Sequence, residues 1–218
     1  MNTQKLILTC PLCHSQNSFK IQGLDKRTFY KCNTCYLIYV DPLHHPTKEV
    51  EKNRYLAHEN GVEFPGYVAF LNKAIEPAMQ FLRPDMLGLD YGCGSNPTLS
   101  KLLSKRGIKC ENYDPIFFPN TKTKQHYSFI FATECFEHFF FPSKDIEQII
   151  SHMQKDSYLI VMTNLWNNIE NFKGWSYAKD FTHASFYNKN TINWIATHFG
   201  LKKVYDDEQR VIIFRLQL

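Results

Sequence analysis

Cys10-Pro11-Leu12-Cys13 and Cys32-Asn33-Thr34-Cys35 form two C-x2-C pairs with eighteen residues between them. Four thiolates at that spacing can close tetrahedrally on one Zn²⁺ ion, as zinc ribbons do. Two disulfides would need an oxidising compartment, and a redox C-x-x-C would need a βαβ setting that the first 40 residues lack. A second group of residues follows at Leu89-Asp90-Tyr91-Gly92-Cys93-Gly94, between a short apolar run and a helical one. Glycines at a strand-to-helix turn let backbone N–H groups approach a ligand closely, because no Cβ intervenes. Asp114 lies twenty-two residues past Gly92, where a doubly wound fold places an acid on ribose hydroxyls. The third group is Glu134, Glu137 and His138, joined later by His183. If a helix starts at 134, the first three share one face. Two carboxylates with imidazole can bind a divalent cation such as Mg²⁺, and His138 or His183 could equally act as a metal-free general base. A merely structural pair is the third option.

The ordered motifs L-D-x-G-C-G at 89–94, Asp114, E-x-x-E-H at 134–138 and D-x-T-H-x-x-F-Y at 180–187 resemble those of class I S-adenosylmethionine-dependent methyltransferases. The likeness covers about residues 80 to 218. It implies a Rossmann-like, mostly parallel sheet with an antiparallel terminal hairpin, and S-adenosylmethionine as cofactor. It assigns cofactor binding to Asp90, Gly92, Gly94, Asp114 and Glu134, and catalysis to Glu137, His138 and His183. Arg54-Tyr55 with His58 resembles an R-Y-x-x-H element of such enzymes, which adds Tyr55 to the cofactor or substrate contacts. The E-x-x-E-H segment with a later histidine is similar to the metal-binding set of two O-methyltransferase groups, one acting on catechols and one on the 2′-hydroxyl of small RNAs. That match makes Glu134, Glu137 and His138 ligands, with His183 as a fourth.

These residues need elements to position them. The cysteine spacing predicts a zinc ribbon over residues 1–42, and helical periodicity a linker over 43–82. The resemblance implies that this linker is a lid over the cofactor pocket and that 83–218 is the methyltransferase domain. Helices are expected from 47 to 59 and 67 to 82, with Pro77 as a candidate kink. The domain reads as strand 86–90, helix 97–105, strands 108–113 and 127–133, helix 143–154, strand 158–163, helix 189–199 and a hairpin of 202–206 with 210–217. Only twelve residues separate Asp114 from Tyr127, so the strand-three region must be shortened. That span lacks the usual adenine-recognising acid, which leaves Phe117 and Phe118 as candidate adenine contacts. Asn96-Pro97 replaces the family's third glycine. Asn tolerates left-handed backbone and Pro suits a first helical turn. Cys93, Cys110 and Cys135 read as buried and inert.

With 218 residues, 44% hydrophobic content and a net charge of +4, the chain has room for one α/β domain plus a small module. It shows no apolar run long enough to span a membrane and no signal-peptide pattern, so it is expected to be cytoplasmic. Its charge is too mild to indicate nucleic acid. Lys20, Lys26, Arg27 and Lys31 beside Phe19, Phe29 and Tyr30 suit RNA docking or an ordinary solvated ribbon face. Trp166, Phe172, Trp175 and Tyr177 suit an acceptor pocket or core packing. Two functional classes stay open. One is an active methyltransferase on a small molecule or RNA, and the other is a zinc-ribbon binding protein with a decayed methyltransferase fold. Oligomeric state is not legible.

Overall fold

The computed structural model describes residues 8–23, 25–57, 60–119 and 126–217. Three short strands open the chain: β1 (Ser18–Ile21), β2 (Phe29–Cys32) and β3 (Ile38–Val40). Helices α1 (Lys48–Leu56) and α2 (Pro65–Ala78) follow. The remainder alternates as β4 (Leu87–Tyr91), α3 (Thr98–Ser104), β5 (Lys109–Tyr113), β6 (Tyr127–Thr133), α4 (Pro142–Ser151), β7 (Met153–Met162), a short α5 (Ile169–Phe172), β8 (Ser185–Phe186), α6 (Lys189–His198), β9 (Leu201–Asp206) and β10 (Val211–Leu216). No helix among the described residues is long and apolar enough to cross a membrane.

The larger sheet has the order β5-β4-β6-β7-β10-β9. Its first four strands run parallel, and β10 pairs antiparallel with both β7 and β9. Strands β6 and β7 are central, and their apolar stretches 129–132 and 159–162 are covered on both faces. On one face α2 and α3 bury Leu71, Ile75, Leu99 and Leu103 against Phe129, Phe131 and Ile160. On the other, α4 and α6 bury Ile146, Ile149, Ile192 and Ile195. This is the doubly wound sheet that the sequence predicts, with its terminal hairpin. Among the described residues no strand pairs with the outer edge of β5, which fits the shortened strand-three region.

Several boundaries differ from expectation for identifiable reasons. Strand β7 starts at Met153, not 158, because Tyr127↔Met153 and Phe129↔Tyr158 frame a bulge with Asp156 at φ +63°. The exposed Gln154, Lys155 and Asp156 hide that strand start in the sequence. Helix α2 ends at Ala78, one residue beyond Pro77, not at Leu82. Pro97 sits at the N-cap of α3, and Asn96 is not left-handed; its side chain accepts from Lys101 instead.

The described part of the ribbon, from residue 8 to residue 40, is not an appendage. Strand β3 pairs antiparallel with β8, Ile38 opposite Phe186 and Tyr39 opposite Ser185, so β8 becomes the fourth strand of the ribbon sheet. Val40 N–H donates to the Ala184 carbonyl at 2.9 Å. Leu12, Leu37 and Tyr39 belong to the same apolar cluster as Phe136 and Tyr187. The opposite ribbon face, Phe29, Ile38 and Val40, packs on Trp166, Phe172 and Phe186. The aromatics after β7 therefore serve the core: none of Trp166, Phe172, Trp175 and Tyr177 lines the main cavity.

Phe29 is fully buried, with its ring 5.6 Å from Phe172 and 6.1 Å from Phe186. Phe29→Ala is expected to cost about 3–5 kcal/mol. Urea unfolding followed by tryptophan fluorescence and by far-UV circular dichroism should give one coincident, shifted transition. A separate early transition would mean that the ribbon folds independently.

Candidate functional site

In the ribbon, Cys10, Cys13, Cys32 and Cys35 place their sulfurs within 4.8 Å of one another, and none forms a disulfide. Each knuckle is followed by a left-handed residue, His14 at φ +58° and Tyr36 at φ +64°. That turn folds the chain back so that both pairs point inward. Thr34 N–H donates to Cys32 Sγ at 3.3 Å. The crowding works differently on each thiol. Hydrogen bonding with Cys32 pushes Cys10 up, and with Cys10 pushes Cys35 up, while their donors pull Cys32 down. A closed set of four thiols, steadied by a backbone N–H, suits a tetrahedral metal ion.

The second site begins at the end of β4. Gly92 and Gly94 take φ +78° and +65°, and a Cβ on Gly92 would stand 2.7 Å from that of Cys135. Glycine is therefore required there for backbone reasons and for space. The turn is fastened to the end of β5. Gly92 N–H and Cys93 N–H both donate to the Tyr113 carbonyl, and Gly94 N–H donates to Asp114 Oδ2 at 3.1 Å. Asp114 Oδ1 accepts from Ile116 and Phe117 N–H at 2.8 and 3.0 Å. Asp90 lies behind the turn, 2% exposed, and contributes nothing to the cavity wall. Burial, followed by the Asp114 charge, pushes its carboxyl up to about 7.

The turn opens into a cavity of about 850 Å³, a size suited to a bound cofactor with a small second ligand. Gly92, Gly94, Asp114, Glu134, Tyr55, Glu137, His138 and His183 all line it. The sequence did not single out Tyr67, Phe70, Phe139 or Phe140, which supply much of its aromatic wall. Phe117 and Phe118, expected against adenine, do not line it; Pro115 and Ile116 do. Asp114 and Phe118 pair in a tight bridge that carries those rings away.

The 134–138 segment is not a helix. Glu134 N–H still bonds the Met162 carbonyl, extending the sheet ladder, and Glu134 then turns left-handed at φ +49°. Only a single 3₁₀ turn, Phe136–His138, follows. The expected shared face of Glu134, Glu137 and His138 is thus replaced by a different set. Glu137, His138 and His183 bring their donor atoms within 4.8 Å of one another, and Glu134 stands outside it. Burial and the neighbouring Glu137 carboxylate push Glu134 up to about 9. Glu137 is fully buried: Oε2 accepts from Thr163 Oγ1 at 2.8 Å, and Oε1 has no hydrogen-bond partner. Thr163 is the hydroxyl that ends the apolar run of β7, a signal the sequence carried unread.

Both imidazoles are oriented by carbonyls. His138 Nδ1 lies 3.2 Å from the Thr182 carbonyl and His183 Nδ1 lies 2.8 Å from that of Tyr177. A carbonyl can only accept, so both rings carry hydrogen on Nδ1 and keep the Nε2 lone pair. Burial pushes each down to about 4, against the pull of Glu137 on His138 and of Asp180 on His183. The Tyr55 ring packs edge-on to His138 at 5.2 Å, and its hydroxyl donates to Glu51 at 2.9 Å. Arg54, one residue earlier, pairs with Asp180 at 2.7 Å. His58, the third member of the R-Y-x-x-H element, lies outside the described residues.

A doubly wound sheet with a glycine turn, an acid at the end of its second strand and a cavity at the strand ends has the form of a nucleotide-type cofactor fold. The family model for the methyltransferase domain matches residues 65–206, and the chain belongs to that family. No curated protein sequence matches the chain. Among solved structures it is similar to the 1,6-didemethyltoxoflavin-N1-methyltransferase of Burkholderia thailandensis, bound to 1,6-didemethyltoxoflavin and S-adenosylhomocysteine. The TM-score is 0.53 at 10% identity, covering 93% of this chain and 100% of that one. It also matches the N-methyltransferase NodS of Bradyrhizobium japonicum with S-adenosylhomocysteine, at TM-score 0.48 and 13% identity over 77% of this chain and 97% of that one. Magnesium protoporphyrin IX methyltransferase of Synechocystis gives TM-score 0.47 at 11% identity, over 78% and 95%. At these identities the likeness is one of fold.

Asp90 gives a clean pH test without any ligand. Its raised native pKa means that the folded state holds a proton that the unfolded chain releases near pH 4. Stability from this group is full below about pH 4, falls as pH rises towards 7, and is gone above it. The Tm of Asp90→Asn relative to the unsubstituted protein should therefore rise from pH 4 to 7 and level off above. A constant difference across that range would refute the assignment.

Proposed function

We propose that this protein is an S-adenosylmethionine-dependent methyltransferase that methylates an oxygen of a small molecule with the help of a bound cation. The observation that carries this reading is convergence. The glycine turn with Asp114 and the Glu137, His138, His183 set open into one cavity. S-adenosylmethionine supplies a methyl group on a positively charged sulfur, which leaves as a neutral thioether. The chain has to hold donor and acceptor in line, exclude water and withdraw a proton from the acceptor. Gly94 and Asp114 would hold the cofactor, Asp114 through ribose hydroxyls. Glu134, protonated at neutral pH, can donate a hydrogen bond into the cavity. Tyr55 covers His138 and closes off one wall.

The unpartnered Glu137 oxygen and two Nε2 lone pairs fit a dication, and two imidazoles favour a first-row transition metal over Mg²⁺. Such an ion lowers the pKa of a coordinated hydroxyl. Rings as hard to protonate as His138 and His183 suit ligation better than general-base work. The cysteine set is proposed to hold structural zinc. A small acceptor is favoured over RNA because two residues of the basic, aromatic ribbon mix are turned inward. Phe29 is buried and the Arg27 side chain is 9% exposed.

Calorimetry with S-adenosylhomocysteine should show binding, and Asp114→Ala should weaken it at least tenfold (about 1.4 kcal/mol). Absence of binding at high micromolar concentration would sink the methyltransferase reading. Co²⁺ titration of the metal-free protein should show two classes of site. Cys32→Ser should abolish the intense thiolate charge-transfer absorption. Glu137→Ala should remove only the weaker, thiolate-free class while leaving S-adenosylhomocysteine affinity within a few-fold. A single class, unaffected by Glu137→Ala, would exclude the second cation.

A further inference from the structure

Arg27 lies between β1 and β2, in the ribbon, far in sequence from the loop that carries His183. Its Nη1 donates to the Asp180 carbonyl at 3.1 Å and to the His183 carbonyl at 3.0 Å, and its Nη2 donates to the Ala178 carbonyl. Nε donates to Asp25 Oδ2 at 2.9 Å, and Nη2 stands 2.8 Å from the same oxygen. The five N–H donors of a guanidinium thus meet five contacts, three of them to carbonyls of one short loop. Phe29 packs beneath, 5.1 Å from the guanidinium carbon. A rigid planar fork can hold this pattern; a lysine ammonium cannot.

The carbonyls Arg27 binds lie among those that orient the imidazoles. Tyr177 holds His183 and Thr182 holds His138, so residues 177–183 carry both histidine contacts and all three arginine contacts. On the far side of the loop, Asp180 accepts from Thr182 N–H at 3.0 Å and from Arg54 at 2.7 Å. We propose that Arg27 is a positioning residue: the ribbon guanidinium fixes the 177–183 carbonyls, and these set the tautomer and aim of His183 and His138. The ribbon is then a wall of the active-site scaffold, and its work is directed inward. This inference rests on reading the two histidines as functional donors, yet its test reads the rings themselves and needs neither turnover nor a second cation.

Long-range ¹H–¹⁵N NMR of the full-length protein carrying one equivalent of Zn²⁺, enough for the cysteine set alone, reports which ring nitrogen carries the proton. The unsubstituted protein should show single Nδ1-protonated patterns for His183 and His138. His198, whose Nδ1 contacts the Trp194 carbonyl at 2.8 Å on a remote helix, is an internal control. In Arg27→Ala the His183 pattern should be lost to mixed tautomers, with His138 affected and His198 unchanged. The Co²⁺-substituted form of the same variant reports whether the four cysteines still close. An intact thiolate band with unchanged His183 and His138 patterns would overturn the proposal. If Arg27→Ala loses that band, Arg27→Lys, which keeps the charge without the fork, decides. Altered histidine patterns in Arg27→Lys support positioning, and patterns like those of the unsubstituted protein overturn it. Failure of the unsubstituted protein to bind S-adenosylhomocysteine would fault the methyltransferase reading and leave this result standing.

Discussion

The pairing of β3 with β8 is the contact on which the rest of the molecule turns. It is only two residues long, Ile38 against Phe186 and Tyr39 against Ser185. Yet it closes a link between the ribbon and the loop that carries His183. Without it the ribbon sheet would have an open edge at β3, and the apolar faces of Phe29 and Leu37 would lack their partners. With it, one hydrophobic core extends from the cysteine knuckles to the central strands. A small metal-binding module usually has too little core of its own and leans on its metal for stability. Here the ribbon borrows core from the larger domain, and returns a guanidinium and a strand that shape the loop beside the cavity.

Cost and compensation are distributed around the cavity in a consistent way. Asp90, Glu134 and Glu137 are carboxyls in places where water cannot reach them well. Burial favours the neutral form of the first two, and Glu137 is left with one oxygen unsatisfied. Unsatisfied buried acceptors are uncommon because each forfeits its hydration. Asp180 shows the opposite outcome. Burial works against its charge, but hydrogen bonds from Thr182 and the Arg54 contact outweigh it and hold the carboxyl well below the usual range. Asp180, which holds the loop, is therefore satisfied, while Glu134 and Glu137, which line the cavity, each keep one unpartnered oxygen. That contrast is what a site built for a charged ligand requires.

The local motifs were legible because their meaning depends on near neighbours. Alternating apolar runs announced the doubly wound sheet, and strand β6 fell at 127–133 as read. Two C-x2-C pairs announced four converging sulfurs, and L-D-x-G-C-G announced a left-handed glycine turn. The short span after Asp114 announced a shortened strand-three region, and among the described residues β5 has no neighbour on its outer edge. Elements failed where one backbone angle overrode periodicity. Glu134 at φ +49° turned an expected helical face into a single 3₁₀ turn, and Asp156 at φ +63° hid the start of β7 in a bulge.

Sequence by itself thus determined the fold class, the cofactor-turn geometry and the cysteine set, because each is encoded within a few residues or in a regular period. Tertiary structure alone decided which distant groups meet. It drew His183 to Glu137 and His138 and left Glu134 outside that set. It assigned Trp166, Phe172, Trp175 and Tyr177 to a shared core and gave the cavity wall to Tyr67, Phe70 and Phe139. It also sent Arg27 inward, to loop carbonyls more than 150 residues away. Such meetings depend on chain crossings and on which side chain wins a buried position, and no local spacing records either.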